Sequence, residues 1–176
     1  MTNDANSILD SLLFYAANEW GMDEDQITEN MNKIAFHESK GDPSAIQKSD
    51  KTKSGFGPGR GLFQFEIGQG QGANTAIQRL INQLGYSPDF VKGLGERDYD
   101  VSGLTPEQQK SLFLANLLQM KHKPDAKGRV KANFAGVDTD EELADYWAQY
   151  HQAGTTLGTD EYDTMINKFL RDLQDY

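Results

Sequence analysis

Apolar residues recur along this chain at intervals of three and four, the period of a helix packed by one face. Ile8, Leu9, Leu12, Leu13 and Ala16 form a first stripe that closes near Trp20 and Gly21. Ile27, Met31 and Ile34 form a second. Its start is marked by Asp23 as N-cap, Gln26 as capping-box partner, and Met22 and Ile27 as a hydrophobic staple. Gly41 and Pro43 predict its end. A third helix is expected from about Ala73 to Leu84, stopped by Gly85, with Ile77, Leu80, Ile81 and Leu84 on one side. Thr105, Pro106 and Gln108 open a fourth that carries Leu112, Phe113, Leu117 and Met120. Thr139 and Glu142 open a fifth with Leu143, Tyr146, Trp147 and Tyr150. The last begins near Asp160 and carries Tyr162, Met165, Ile166, Phe169, Leu170 and Leu173.

The helical period fails between Gly55 and Gly72, where seven glycines fall. Within that stretch, Leu62 to Ile67 alternates apolar and polar after Phe63 and predicts a short strand. No Gly-Lys-Ser/Thr follows the glycines, so a phosphate-binding loop is excluded. Two readings of the glycines remain: a turn-rich loop, or a backbone kept slim so that a ligand or a helix can approach. The pattern predicts an α+β fold, predominantly α-helical, with a small β-like segment, in one domain spanning residues 1–176.

One position on the second stripe carries chemistry. Glu38 lies four residues beyond Ile34, on the face that turns toward a core. A carboxyl in partly apolar surroundings loses hydration and holds its proton, and a proton held near neutrality is what a general acid needs. The plain alternative is a solvated acid in a fraying last turn.

Composition narrows the function classes. The formal net charge is −10, which disfavours nucleic acid, because phosphate contacts need clustered Lys and Arg. The densest basic group, Lys121, Lys123, Lys127, Arg129 and Lys131, reads first as an exposed loop. His37, His122 and His151 are too dispersed for a metal site, and there is no cysteine to supply a thiolate. No apolar run approaches the ~20 residues of a membrane span. The polar start, Met1 to Asn6, lacks the basic opening of a secretory signal.

Order and spacing add what single residues do not. Phe36-His37-Glu38-Ser39-Lys40-Gly41-Asp42-Pro43-Ser44-Ala45 is followed by the glycines and then by Gly61-Leu62-Phe63-Gln64-Phe65. Far downstream comes Tyr150-His151-Gln152-Ala153-Gly154. This series resembles the lytic transglycosylases of the lysozyme superfamily, the soluble and goose-type branch. In that family a helix ends in Glu-Ser before a Gly/Asn-x-Pro-x-Ala turn, then come a Gly-Leu-Met-Gln-like motif and a Tyr-Asn-Ala-Gly element. Phe63 stands here at the Met position, and the third element is one residue longer. The resemblance covers roughly Ile27 to Gly154. The form Gly-Arg-Gly-Leu-Phe-Gln-Phe-Glu at 59–66 is most similar to wall-degrading proteins of bacteriophage particles.

The resemblance implies a lysozyme-like fold, with the β-like segment beside a cleft, and cleavage of the β-1,4 bond between N-acetylmuramic acid and N-acetylglucosamine. Glu38 would be the sole acid/base, and the product would carry a 1,6-anhydromuramic end. Ser39, Gln64, Phe65, Glu66, Tyr150 and His151 would contact substrate or position Glu38. No cofactor or metal is implied. The implied partners are peptidoglycan glycan strands and other virion or tail proteins. The implied setting is a virion that opens the bacterial wall. A hydrolysing muramidase would add a second carboxylate to hold water, for which Glu66 is a better candidate than Asp50. A non-catalytic lysozyme-like part of an assembly is the competing class, and the acidic charge leaves room for it. A calcium-organised helical protein lacks the required twelve-residue loop.

Overall fold

The computed structural model describes residues 5–119, 134–150 and 158–176, without the side chains of Gln119 and Tyr150. The chain is α+β and mostly helical. The elements in order are α1 (Ala5–Trp20), α2 (Glu24–Ser39), β1 (Ile46–Lys48), β2 (Phe56–Arg60), β3 (Phe65–Glu66), α3 (Gly72–Gln78), α4 (Pro106–Gln119), α5 (Asp140–Tyr150) and α6 (Asp160–Leu173). The three strands form one antiparallel sheet with β2 in the middle.

One hydrophobic cluster runs from Ile8 in α1 to Phe169 in α6. The stripes read from the sequence point into it. Ile8, Leu12, Leu13 and Ala16 are buried, α1 packs chiefly on α4, and α5 packs on α6. Ile27, Met31 and Ile34 are all fully buried, so the face of α2 that ends in Glu38 is a core face. Burial of each such side chain stabilises by roughly 1.5–3 kcal/mol, which outweighs the modest helix propensity of the β-branched residues.

The capping boxes at Thr105/Gln108 and Thr139/Glu142 form as the sequence indicates. Each backbone N–H of the first residue donates to the partner's side chain, and the reciprocal bond is present. At α2, by contrast, Asp23 takes the N-cap backbone conformation without a side-chain cap bond. Gln26 donates instead to Asn30, a buried residue whose own Nδ2 donates to the Val137 carbonyl at 3.1 Å. A bond within α2 to a buried polar residue, itself anchored to Val137, has replaced the local box. Closure of α2 also differs. Lys40, and not only Gly41, adopts the left-handed conformation (φ 58°). Its ammonium lies 4.5 Å over the Phe36 ring and 3.6 Å from Asp172.

The third helix is shorter than its pattern. After Gln78 it widens to a π turn over Arg79–Gln83, where the Leu84 N–H donates to the Arg79 carbonyl five residues back. The strand expected over Leu62–Ile67 is also reduced. Leu62 to Gln64 form a turn, with Gln64 at φ 48°, and only Phe65–Glu66 pair with β2. Strands β1 and β2 carry no alternating pattern and were not signalled as strands.

Candidate active site

The glycines of β2 and the turn after it each accommodate a glutamine carboxamide. A Cβ at Gly57 would lie 2.4 Å from Gln47 Oε1, one at Gly59 2.7 Å from Gln64 Oε1, and one at Gly61 2.1 Å from Gln109 Oε1. Gln109 is fully buried, and its Oε1 accepts from the Leu62 N–H at 2.7 Å. Its Nε2 donates to the Pro43 and Leu104 carbonyls at 2.8 and 3.0 Å. One side chain of α4 therefore joins the turn after α2 to the Gly61–Gln64 turn. The slim backbone admits protein side chains from neighbouring elements.

Ser39 completes the junction. Its hydroxyl lies 2.9 Å from the Ala35 carbonyl and 3.0 Å from the Leu62 carbonyl, so the end of α2 is tied to that same turn. Gln64 Nε2 donates to the Gly61 carbonyl at 2.9 Å, bracing the turn from within.

On the other side of the helix end, Glu38 meets α5 and α6. Its side chain is 17% exposed, and that of His37 is 7% exposed. Burial raises the Glu38 pKa from the ordinary 4.5 to about 7; Asp172 adds to the rise, while Lys168 and the nearby Trp147 indole oppose it. The His37 ring packs on Phe169 at 4.7 Å between centroids and meets Trp147 edge-on at 6.3 Å. Its Nδ1 is 2.8 Å from Asp172 Oδ2, and its Nε2 is 3.9 Å from Glu38 Oε1. Burial lowers the His37 pKa below 6.5 against the pull of Asp172, with Lys168 and Lys40 lowering it further. Near pH 7 the imidazole is thus neutral and about half of Glu38 retains its proton, so this contact is not an ion pair.

The site residues read from the sequence separate accordingly. Ser39 and the Gln64 turn meet at the end of α2, whereas Glu38 faces His37, Trp147, Lys168 and Asp172 on the other side of the helix. Phe65 does not belong to a ligand surface: it is buried and stacked edge-on against Phe63 and Phe113 in the core. The resemblance implies a substrate contact for Phe65, but its side chain turns into the core. Glu66 is exposed on β3 opposite Gly59, and Asp50 is exposed in a turn. Because Gln64 sits in a turn, it does not share a strand face with Glu66. The Tyr150 side chain and His151, together with His122 and the basic group at 121–131, lie outside the described residues.

His37, Trp147, Lys168, Asp172 and Gln109 were not marked as site residues by sequence. Asp172 carried a faint signal, lying three residues beyond Phe169 on one face of α6.

A groove of about 250 Å³ lies elsewhere, lined in part by Asn32, Ala35, Phe36, Leu62, Pro106 and Lys110. Phe36 and Asn32 project from the side of α2 away from Glu38. Among the described residues, no cluster of His, Asp or Glu is arranged to hold a metal ion, and no helix is long and apolar enough to cross a membrane. Comparison of the chain with protein-family models, curated proteins and solved structures finds no match.

Proposed function

We propose that this chain cleaves the β-1,4 bond between N-acetylmuramic acid and N-acetylglucosamine in peptidoglycan, with Glu38 as the single acid/base. The observation that carries the reading is the Glu38 carboxyl itself. It continues the buried stripe of α2, keeps partial exposure at the helix end, and has its pKa raised to about 7. A lone carboxyl that must first give a proton and then take one works best with a pKa near the working pH. The ordered Glu-Ser, Gly-Leu-Phe-Gln and Tyr-His-Gln-Ala-Gly elements supply the substrate class.

In the proposed reaction, protonated Glu38 gives its proton to the glycosidic oxygen as the bond to C1 breaks. The substrate's own acetamido group stabilises the positive charge at C1, so no enzyme nucleophile is needed. The Glu38 carboxylate then takes the proton of the muramic C6 hydroxyl as that oxygen bonds to C1. The carboxyl is regenerated and a 1,6-anhydro end is left. This substrate-assisted route departs from the two-carboxylate scheme. We place the activity on a bacteriophage particle, acting at the bacterial wall.

The test is digestion of purified sacculi followed by mass spectrometry of the fragments. Wild type is expected to release ends lighter by one water than hydrolysed ends, and Glu38→Gln to release almost none. Hydrolysed ends would replace the transglycosylase with a muramidase. Fragments from Glu38→Gln at the wild-type rate would remove Glu38 from the chemistry. The acidic net charge favours a second reading, a non-catalytic glycan-binding or structural part of the particle, which predicts intact sacculi with wild type.

A further inference from the structure

We infer that Asp172 and His37 form a positioning pair for Glu38, in which Asp172 fixes the imidazole tautomer so that an unprotonated Nε2 faces the acid. The inference rests on the reading of Glu38 as the acid/base. Three observations support it. First, the His37 Nδ1 to Asp172 Oδ2 distance is 2.8 Å, and an ionised carboxylate only accepts, so the proton of the neutral ring sits on Nδ1. Lys40 Nζ lies 3.6 Å from the other Asp172 oxygen. Second, Nε2 then carries a lone pair 3.9 Å from Glu38 Oε1, beyond hydrogen-bond length but within electrostatic reach. Third, the ring is clamped by Phe169 and Trp147, so it cannot turn away without losing both contacts.

The consequence is directional. A lone pair repels the Glu38 carboxylate and tolerates its protonated form, and the Asp172 charge behind the ring adds to that bias. A protonated imidazole, or the opposite tautomer, would present an N–H and draw the proton off Glu38. The charged groups around the ring are Glu38 of α2, Lys40 just beyond its end, and Lys168 and Asp172 of α6, and both lysines disfavour the imidazolium. His37 thus supports the acid in its proton-bearing state without touching substrate.

The test uses nitrogen NMR of the wild-type imidazole, a carbon NMR titration of the Glu38 carboxyl, and the pH profile of sacculus cleavage. Asp172→Asn removes the fixing charge. His37→Asn keeps a donor for Asp172 and removes the atom facing Glu38. The expected wild-type spectrum at pH 7 shows protonated Nδ1 and bare Nε2. In both variants the Glu38 midpoint is expected to fall by about one unit. The alkaline limb of the cleavage profile should move by the same amount, with kcat lowered at pH 8 and KM held. A wild-type Nε2–H tautomer overturns the inference and needs no folded variant. So does an unmoved Glu38 midpoint in folded variants. A shifted midpoint in a protein that cleaves nothing upholds the pair and overturns the proposed function.

Discussion

At the residue scale, Glu38 is a carboxyl whose surroundings oppose its charge. Its folded pKa, raised to about 7, exceeds the ordinary 4.5, so between those values the folded state binds a proton that the unfolded chain has released. Stability from this group is therefore greatest below pH 4.5 and is lost as pH rises toward 7. Glu38→Gln should raise unfolding stability at pH 8 by about 3 kcal/mol, the energetic equivalent of the shift, and change it little at pH 4. Denaturant unfolding of both proteins at the two pH values checks this; equal stability at pH 8 would mean that the carboxyl is well solvated. His37 contributes the opposite slope. Its folded pKa is lowered, so its contribution is present above pH 6.5 and is lost as pH falls. An acid at the end of an apolar stripe was legible in the sequence, because helical period alone puts Glu38 with Ile27, Met31 and Ile34. The partner of His37 was not legible, because Asp172 lies 135 residues away and only the docking of α6 brings the two together.

At the element scale, the helices were legible, and of the sheet only β3, which falls within the strand expected over Leu62–Ile67. Stripes and capping boxes are local, and they appeared where the sequence placed them. One exception is the α2 start, where buried Asn30 takes the Gln26 carboxamide; another is the third helix, which widens to a π turn after Gln78. Strand β2 reads Phe-Gly-Pro-Gly-Arg, with no run of β-formers and a proline at its centre. Gln47 and Gln64 pack against its glycines, and Gln109 against Gly61 in the turn that follows, three side chains from three different segments. Gly61 is the most constrained of these glycines. Its φ is +70°, and the neighbouring carboxamide is fixed by three hydrogen bonds. Gly61→Ala should cost about 2–4 kcal/mol through backbone strain and displacement of Gln109. Gly57→Ala should cost clearly less, because Gly57 has no left-handed φ and the exposed Gln47 side chain is held there by one hydrogen bond, from the Gly59 N–H, against the three that fix Gln109. Urea unfolding of both variants ranks them, and equal costs would refute the role given to Gln109.

At the scale of the whole molecule, the charge of −10 sets how the protein meets any charged polymer. A bacterial wall is itself anionic, so the free chain and a sacculus repel each other at low salt. Raising the ionic strength from 0.01 to 0.15 M shortens the screening length from about 30 to about 8 Å. If the protein cleaves peptidoglycan as a free chain, the initial rate on sacculi should rise over that range, the reverse of the response of a basic enzyme. Turbidity assays across the salt series read this directly, and a falling rate would point to a local basic surface that governs binding.

The account depends above all on the protonation of one carboxyl at the end of α2. Carbon NMR of the Glu38 side-chain carboxyl, followed from pH 3 to pH 9 and assigned by its loss in Glu38→Gln, measures this without any assumption about substrate. The expected midpoint is near 7, as burial at this position requires. A midpoint near 4.5 would contradict it, leaving Glu38 as an ordinary surface acid and the proposed chemistry without its proton donor.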